Sequence, residues 1–221
     1  MNSARTASGT AHLRSELVTE TIGTFFLTLT ILVAAAYGTA GQLAPLAIGV
    51  VLTVLVYAGG PVSGAQYNPA VSFALTAYGA LAPKKALPYV AAQLIGATLA
   101  AVVASGLSDG PMRLLSSLTG GGPVTGASVL SELLFTFLLV WVIFNVAVLR
   151  ADAPWFGLAI GGTVMAAALT VGPISGAVLN PAVAVGLVVA GELDLVTALV
   201  FIGTQLSAAM LARVVIPVSS A

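Results

Sequence analysis

Ser63-Gly64-Ala65-Gln66-Tyr67-Asn68-Pro69-Ala70 returns later in the chain as Ser175-Gly176-Ala177-Val178-Leu179-Asn180-Pro181-Ala182. Asn68 and Asn180 stand 112 positions apart, and the same shift carries Glu20-x3-Thr24-Phe25 onto Glu132-x3-Thr136-Phe137. It also carries Leu46-Ala47-Ile48-Gly49 onto Leu158-Ala159-Ile160-Gly161, Gly60-Pro61 onto Gly172-Pro173, and Gln93-Leu94 onto Gln205-Leu206. Landmarks spread across each half keep one register without a gap, so the chain is a tandem duplication. Its most polar repeated element is a loop that opens a helix with Asn-Pro-Ala.

The solvent of this chain follows from its composition. Hydrophobic residues make up 59% and charged residues 6%, against about 25% charged in an ordinary soluble domain. That is too little polar surface to clothe a globule in water, and a bilayer removes the need for it. The net charge of zero and seven scattered basic residues give no footprint for nucleic acid. With no cysteine there is no disulfide and no thiolate metal site, and the only histidine, His12, lies in a polar N-terminal tail, residues 1–15. The first apolar segment, Leu17 to Tyr37, is too long for a signal-peptide core and has a repeat partner inside the chain, so it reads as a retained membrane helix.

Hydropathy places six spans near 17–38, 44–60, 86–106, 128–149, 155–172 and 194–216. Two further apolar stretches, 68–79 and 180–190, are too short to cross a ~30 Å hydrocarbon core as helices. Each begins with Asn as N-cap and Pro at the first helical position. Three full spans plus one half-span per half force the second half to enter from the opposite face, so the repeats are inverted. With the N-terminus cytoplasmic, Arg5, Arg14, Lys84, Lys85, Arg150 and Arg213 lie inside and Arg113 lies outside, as the positive-inside rule requires. The C-terminus is then cytoplasmic too. The fold class is an all-α membrane protein of six transmembrane helices and two re-entrant half-helices. One domain covers 16–216, with repeats at about 16–106 and 128–216.

Inversion brings the two Asn-Pro tips together near the bilayer midplane. Irregular backbone is tolerated at that depth only where protein or a water-filled passage satisfies it, so segments 63–67 and 175–179 are expected to line a cavity or pore. Small residues at Gly64, Ala65, Gly176 and Ala177 bring the backbone close to that passage, with Gln66, Tyr67, Val178 and Leu179 completing it.

These residues resemble the aquaporin and aquaglyceroporin family over residues 16–216. The carriers are the paired Asn-Pro-Ala motifs, the Ser-Gly-Ala lead-ins, the Glu of the first and fourth spans, and Ala92-Gln93-Leu94-Ile95-Gly96. The resemblance implies a right-handed six-helix bundle, a homotetramer with one pore per protomer, passage of water or small neutral solutes, and neither catalysis nor a cofactor or metal. The expected partners are lipid and neutral permeants, in a plasma membrane. It also implies that Glu20 and Glu132 accept hydrogen bonds from the pore loops.

Physics supplies the central roles. Asn68 and Asn180 can each offer an amide donor to the pore while the carboxamide oxygen caps its own half-helix, with Pro69-Ala70 and Pro181-Ala182 opening those helices. Two converging helix N-termini create a positive potential that repels cations. Gln93 and Gln205 are either further braces or interhelical glue; Gly96 with Ala100, and Gly203 with Ser207, read as close-packing pairs. Trp141 and Trp155 suit interfacial anchoring, and Leu114-Leu115, in the 106–127 connection, an interfacial position.

The pattern breaks where family members carry Arg directly after the second Asn-Pro-Ala: this chain has Val183. Ungapped counting puts the other positions of that constriction on Ile48, Ala168 and Ala177. Such a ring either widens the filter for glycerol, urea, ammonia, peroxide or metalloid acids, or dewets and closes. Ala184 stands where glycerol-type members carry Asp, and Gln66 where a His is common. A secondary transporter with inverted repeats and a non-conducting scaffold are the alternatives.

Overall fold

The computed structural model describes residues 2–107, 124–150 and 154–216, with side chains from His12 onward. Arg113 and Leu114-Leu115 fall outside the described residues. Eight α-helices are described: α1 (Asn2–Thr30), α2 (Ala44–Ser63), α3 (Pro69–Tyr78), α4 (Pro83–Gly106), α5 (Gly126–Ile143), α6 (Phe156–Ser175), α7 (Pro181–Ala190) and α8 (Leu195–Val215). Six helical segments are long and apolar enough to cross a membrane: His12–Ala36, Gly41–Ser63, Pro83–Gly106, Gly126–Val148, Phe156–Ser175 and Leu195–Val215. The half-helices α3 and α7 have 10 residues each, or about 15 Å, so stacked tip to tip they make one membrane thickness.

Two features differ from the sequence reading. The polar N-terminal segment is not a separate tail: α1 starts at Asn2. No Gly or Pro separates residues 10–16 from the apolar span, so the helix propagates backwards, and Glu16 anchors it by accepting from Lys85 Nζ at 2.7 Å and Tyr89 hydroxyl at 3.1 Å. In addition, α1 and α5 each end in π-helix, at Ile31–Ala36 and Phe144–Val148. The wide-turn bonds Tyr37 N–H to Leu32 O and Leu149 N–H to Phe144 O, both 2.8 Å, are related by the repeat shift.

The packing obeys the duplication. α1 lies on α4 as α5 lies on α8, and each half-helix packs on the last span of the opposite half, α3 on α8 and α7 on α4. α2 crosses α6 on the pseudo-dyad. Gly49 and Gly161, repeat partners, make that crossing: a Cβ on Gly161 would collide with Thr53 Oγ1 and Gly49 O, and one on Gly49 would meet Gly161 O at 2.9 Å. Of the two small-residue pairs, Gly96 with Ala100 packs as expected, its backbone against Thr21 O of α1. Gly203 and Ser207 instead face outward, and Ala208 and Ala212 take the inner face of α8. The helix periodicity explains this, since only one stripe of α8 meets α5 and α3.

Gly161→Ala is expected to destabilise the protein by at least about 1–3 kcal/mol, the range for overpacking a close contact. Gly162→Ala, whose Cβ would meet nothing within 4 Å, is expected to be neutral or mildly stabilising. Thermal unfolding in detergent compares the two; equal melting temperatures would refute this account of the crossing.

Candidate functional site

Residues 64–68 and 176–180 leave the helices and descend into the bundle. Gly64 and Gly176 terminate α2 and α6 in the left-handed region, at φ 85° and 83°. Four non-glycine residues follow them there: Ala65 at 49°, Tyr67 at 51°, Ala177 at 48° and Leu179 at 50°. Each such residue costs about 1–2 kcal/mol, so something must hold these loops.

Two carboxylates do so. Glu20, fully buried, accepts from Ser63 hydroxyl at 2.6 Å, Gln66 N–H at 3.0 Å, Tyr67 N–H at 2.7 Å and Gln93 Nε2 at 2.8 Å. Glu132, equally buried, accepts from Ser175 hydroxyl at 2.7 Å, Val178 N–H at 2.9 Å, Leu179 N–H at 2.8 Å and Gln205 Nε2 at 2.8 Å. Four donors on each acid leave no lone pair idle, and charge-assisted bonds of about 1.5–3 kcal/mol each outweigh the backbone strain. Gln93 also donates to Ser72 of α3 at 2.9 Å, tying loop and half-helix together.

The tips meet. Asn68 Oδ1 caps α3 by accepting from Ala70 N–H at 2.9 Å, and Asn180 Oδ1 caps α7 by accepting from Ala182 N–H at 2.9 Å and Val183 N–H at 3.5 Å. Their amides cross the pseudo-dyad: Asn68 Nδ2 donates to Leu179 O at 2.9 Å, and Asn180 Nδ2 to Tyr67 O at 2.8 Å. Each asparagine therefore staples the two halves with one N–H and keeps a second.

A cavity of about 110 Å³ runs past both asparagines, and all four constriction positions, Ile48, Ala168, Ala177 and Val183, line it. So do Gly64, Ala65, Gln66, Gly176, Val178 and Leu179. Tyr67 does not: its ring fills the space between Gly23 and Gly59, and its hydroxyl donates to Leu55 O at 3.0 Å. Pro69, Ala70, Pro181 and Ala182 are buried behind the asparagines, outside the cavity wall. A residue at the first or second helical position points away from the space its cap faces, which is why the motif reads as central while only its Asn reaches the cavity.

The wall repeats itself. Leu27 pairs with Leu139, Ile31 with Ile143 and Ala35 with Ala147 by the repeat shift; Ile31, Ala35 and Ala147 are presented by the π-helical ends, and Ile143 is the last residue of α5. The constriction positions pair with Ile160, Val56, Ala65 and Val71, which line the other end of the same cavity. Composition and hydropathy do not mark this wall, although the 112-residue register applied to Ile48, Ala168, Ala177 and Val183 names the second ring. Ser63 and Ser175 were likewise legible as repeated residues. The Glu16, Lys85 and Tyr89 cluster was not, because its repeat equivalents are Ser128, Thr197 and Phe201. The Tyr89 hydroxyl lies 3.1 Å from Glu16 Oε2 and 3.0 Å from Ser63 O, so its one proton is shared between the carboxylate and the end of α2. Among the described residues no group of three or more His, Cys, Asp and Glu could hold a metal ion.

Comparison with known proteins places this geometry. The profile of the family described as "Major intrinsic protein" matches residues 45–165 and 151–220. Aquaporin NIP3-1 of Arabidopsis thaliana is 38% identical over 184 residues, 77% of this chain and 57% of the relative. Aquaporin NIP1-1 of Zea mays is 42% identical over 155 residues, 65% of this chain and 51% of the relative. The chain thus spans little more than half the length of these relatives. The solved aquaglyceroporin of Plasmodium falciparum superposes with a TM-score of 0.72 at 23% identity, covering 91% of this chain and 94% of that one, a likeness of fold.

Glu132→Ala strands four donors at once, and is expected to destabilise by about 3 kcal/mol or more. Hydrogen–deuterium exchange across 175–180 is expected to quicken while exchange in α2 stays protected. Wild-type exchange in that loop would show that the carboxylate does not hold it.

Proposed function

We propose a passive channel from the premise that this chain belongs to the major intrinsic protein family: it conducts water and small uncharged solutes through a passage within each protomer. The observation that carries this is the crossed pair of asparagine caps beside a cavity shared by both halves.

The half-helices α3 and α7 aim their N-termini at one point, each with about half a positive elementary charge. A cation reaching that depth has shed water and meets repulsion from both tips. A water molecule there is oriented with its oxygen toward the free N–H of Asn68 and of Asn180. Orientation of that kind breaks the donor–acceptor alternation along which a proton would hop. Ion exclusion in this chain rests on these tips, because the wall of the constriction is Ile48, Ala168, Ala177 and Val183, without the guanidinium usual in the family.

Coupled transport has little support. The intramembrane acids Glu20 and Glu132 are each engaged by four donors, so neither is free to carry a proton. We further propose a plasma-membrane location with both termini cytoplasmic, from the distribution of Lys and Arg, and a homotetramer, from the family.

Stopped-flow light scattering of proteoliposomes tests the reading: vesicles holding the protein are expected to shrink faster under osmotic shock than empty ones. Val183→Arg is expected to bring glycerol and urea entry down to that of empty vesicles while water flux persists. Equal solute entry in variant and wild type would remove Val183 from the path.

A further inference from the structure

The cavity wall is nearly symmetric under the repeat shift and breaks at three positions: Leu179 lines it where Tyr67 turns away, and Gln66 and Phe156 stand together at one end. Gln66 faces the cavity where its partner position is Val178, and Phe156 faces it where the partner position is Ala44, which is not part of the wall. Both flank the C-terminal turn of α2. The Phe156 ring lies 3.5 Å from where a Cβ on Gly60 would stand, and Gln66 Nε2 lies 3.9 Å from the equivalent point on Gly64, one turn further along. Among the described lining residues, the second-loop constriction positions Ile48, Ala168, Ala177 and Val183 are all aliphatic.

Gln66 is also the uncommitted amide of the wall. Asn68 and Asn180 are engaged at both ends, whereas the Gln66 side chain makes no hydrogen bond to any described residue and its Oε1 has no partner. Phe156 is fixed: it packs edge-on against Tyr57 at 5.1 Å, and the Tyr57 hydroxyl donates to Pro154 O at 3.0 Å. A held aromatic edge and a free amide supply what a filter needs, a fixed width and a polar group that replaces lost hydration.

Resting on the channel reading, we propose that the selective constriction of this protein stands at the first-loop mouth, formed by Phe156 and Gln66, and not at the second-loop mouth. Phe156 sets the width. Through Nε2, Gln66 donates to permeants that carry hydroxyl, carbonyl or water oxygens as they enter the aliphatic wall.

Water and glycerol permeabilities of wild type, Phe156→Ala, Gln66→Met and Gln66→Asn, measured in one vesicle preparation, test this. Phe156→Ala is expected to raise the glycerol-to-water ratio by about tenfold, the scale on which an apolar pocket discriminates by size. Gln66→Met is expected to lower water flux about two- to tenfold, the reach of one neutral hydrogen bond, and Gln66→Asn to recover most of it. A loss of folded protein would lower both permeabilities together and leave their ratio unchanged, so the ratio separates filtering from misfolding. Conducting wild type with variants of unchanged ratio and flux would overturn the inference alone. Wild-type vesicles that respond like empty ones would overturn the channel reading, and the inference with it.

Discussion

Backbone that leaves the helix inside a bilayer has no water to satisfy it, and this structure is arranged around meeting that demand twice. Residues 64–68 and 176–180 are held by Glu20 and Glu132, acids at a depth where each costs several kcal/mol unless solvated by the protein. Each acid is solvated by the loop it holds. The loop N–H groups need an acceptor, the acid needs donors, and left-handed backbone at Ala65, Tyr67, Ala177 and Leu179 is the conformation that turns those N–H groups toward the acid. Neither the strain nor the charge is tolerable alone.

The same geometry frees the asparagines for their place at the centre. With the loops fixed from behind, Asn68 and Asn180 need spend only one N–H each on stapling the halves together. The helix tips are thereby locked in register, and their positive ends converge on one point of the cavity. In the proposed channel, a positive potential fixed in position opposes cations without any charged side chain among the described lining residues. On that reading Val183, at the position where the family usually carries arginine, is physically tolerable, because ions are opposed at the tips and the mouth needs only to filter by size and polarity.

Most of this architecture was legible because duplication writes each essential residue twice. The Glu20/Glu132 and Gln93/Gln205 pairs, the Gly49/Gly161 crossing and the Asn-Pro tips all keep the register, and all have repeated roles in the structure. Apart from the start of α1, helix ends were legible to within a few residues from Gly, Pro and charge. Two kinds of feature were not. The π-helical ends at Ile31–Ala36 and Phe144–Val148 carry no local signal, since aliphatic residues suit either helix. The direction of Tyr67, away from the cavity and into the gap left by Gly23 and Gly59, depends on glycines 44 and 8 positions away. Residues that depart from the repeat are hidden from a method that reads the repeat.

Those departures are gathered at one place. Glu16, Lys85 and Tyr89 have the non-ionic counterparts Ser128, Thr197 and Phe201, and the Tyr89 hydroxyl shares its proton between Glu16 and Ser63 O at the end of α2. Gln66, Phe156 and Tyr57, whose counterparts are Val178, Ala44 and Leu169, surround the same helix end. An inverted duplication starts with two equal mouths, and nothing in its packing favours one as the filter. Stiffening one mouth requires a cap on its backbone and a support for its aromatic ring, and among the described residues both are present around α2. Among the described residues the end of α6 has the carboxylate brace without the rest. Among the described residues rigidity and polarity thus gather on the first-loop side, which is the asymmetry the proposed one-filter channel needs.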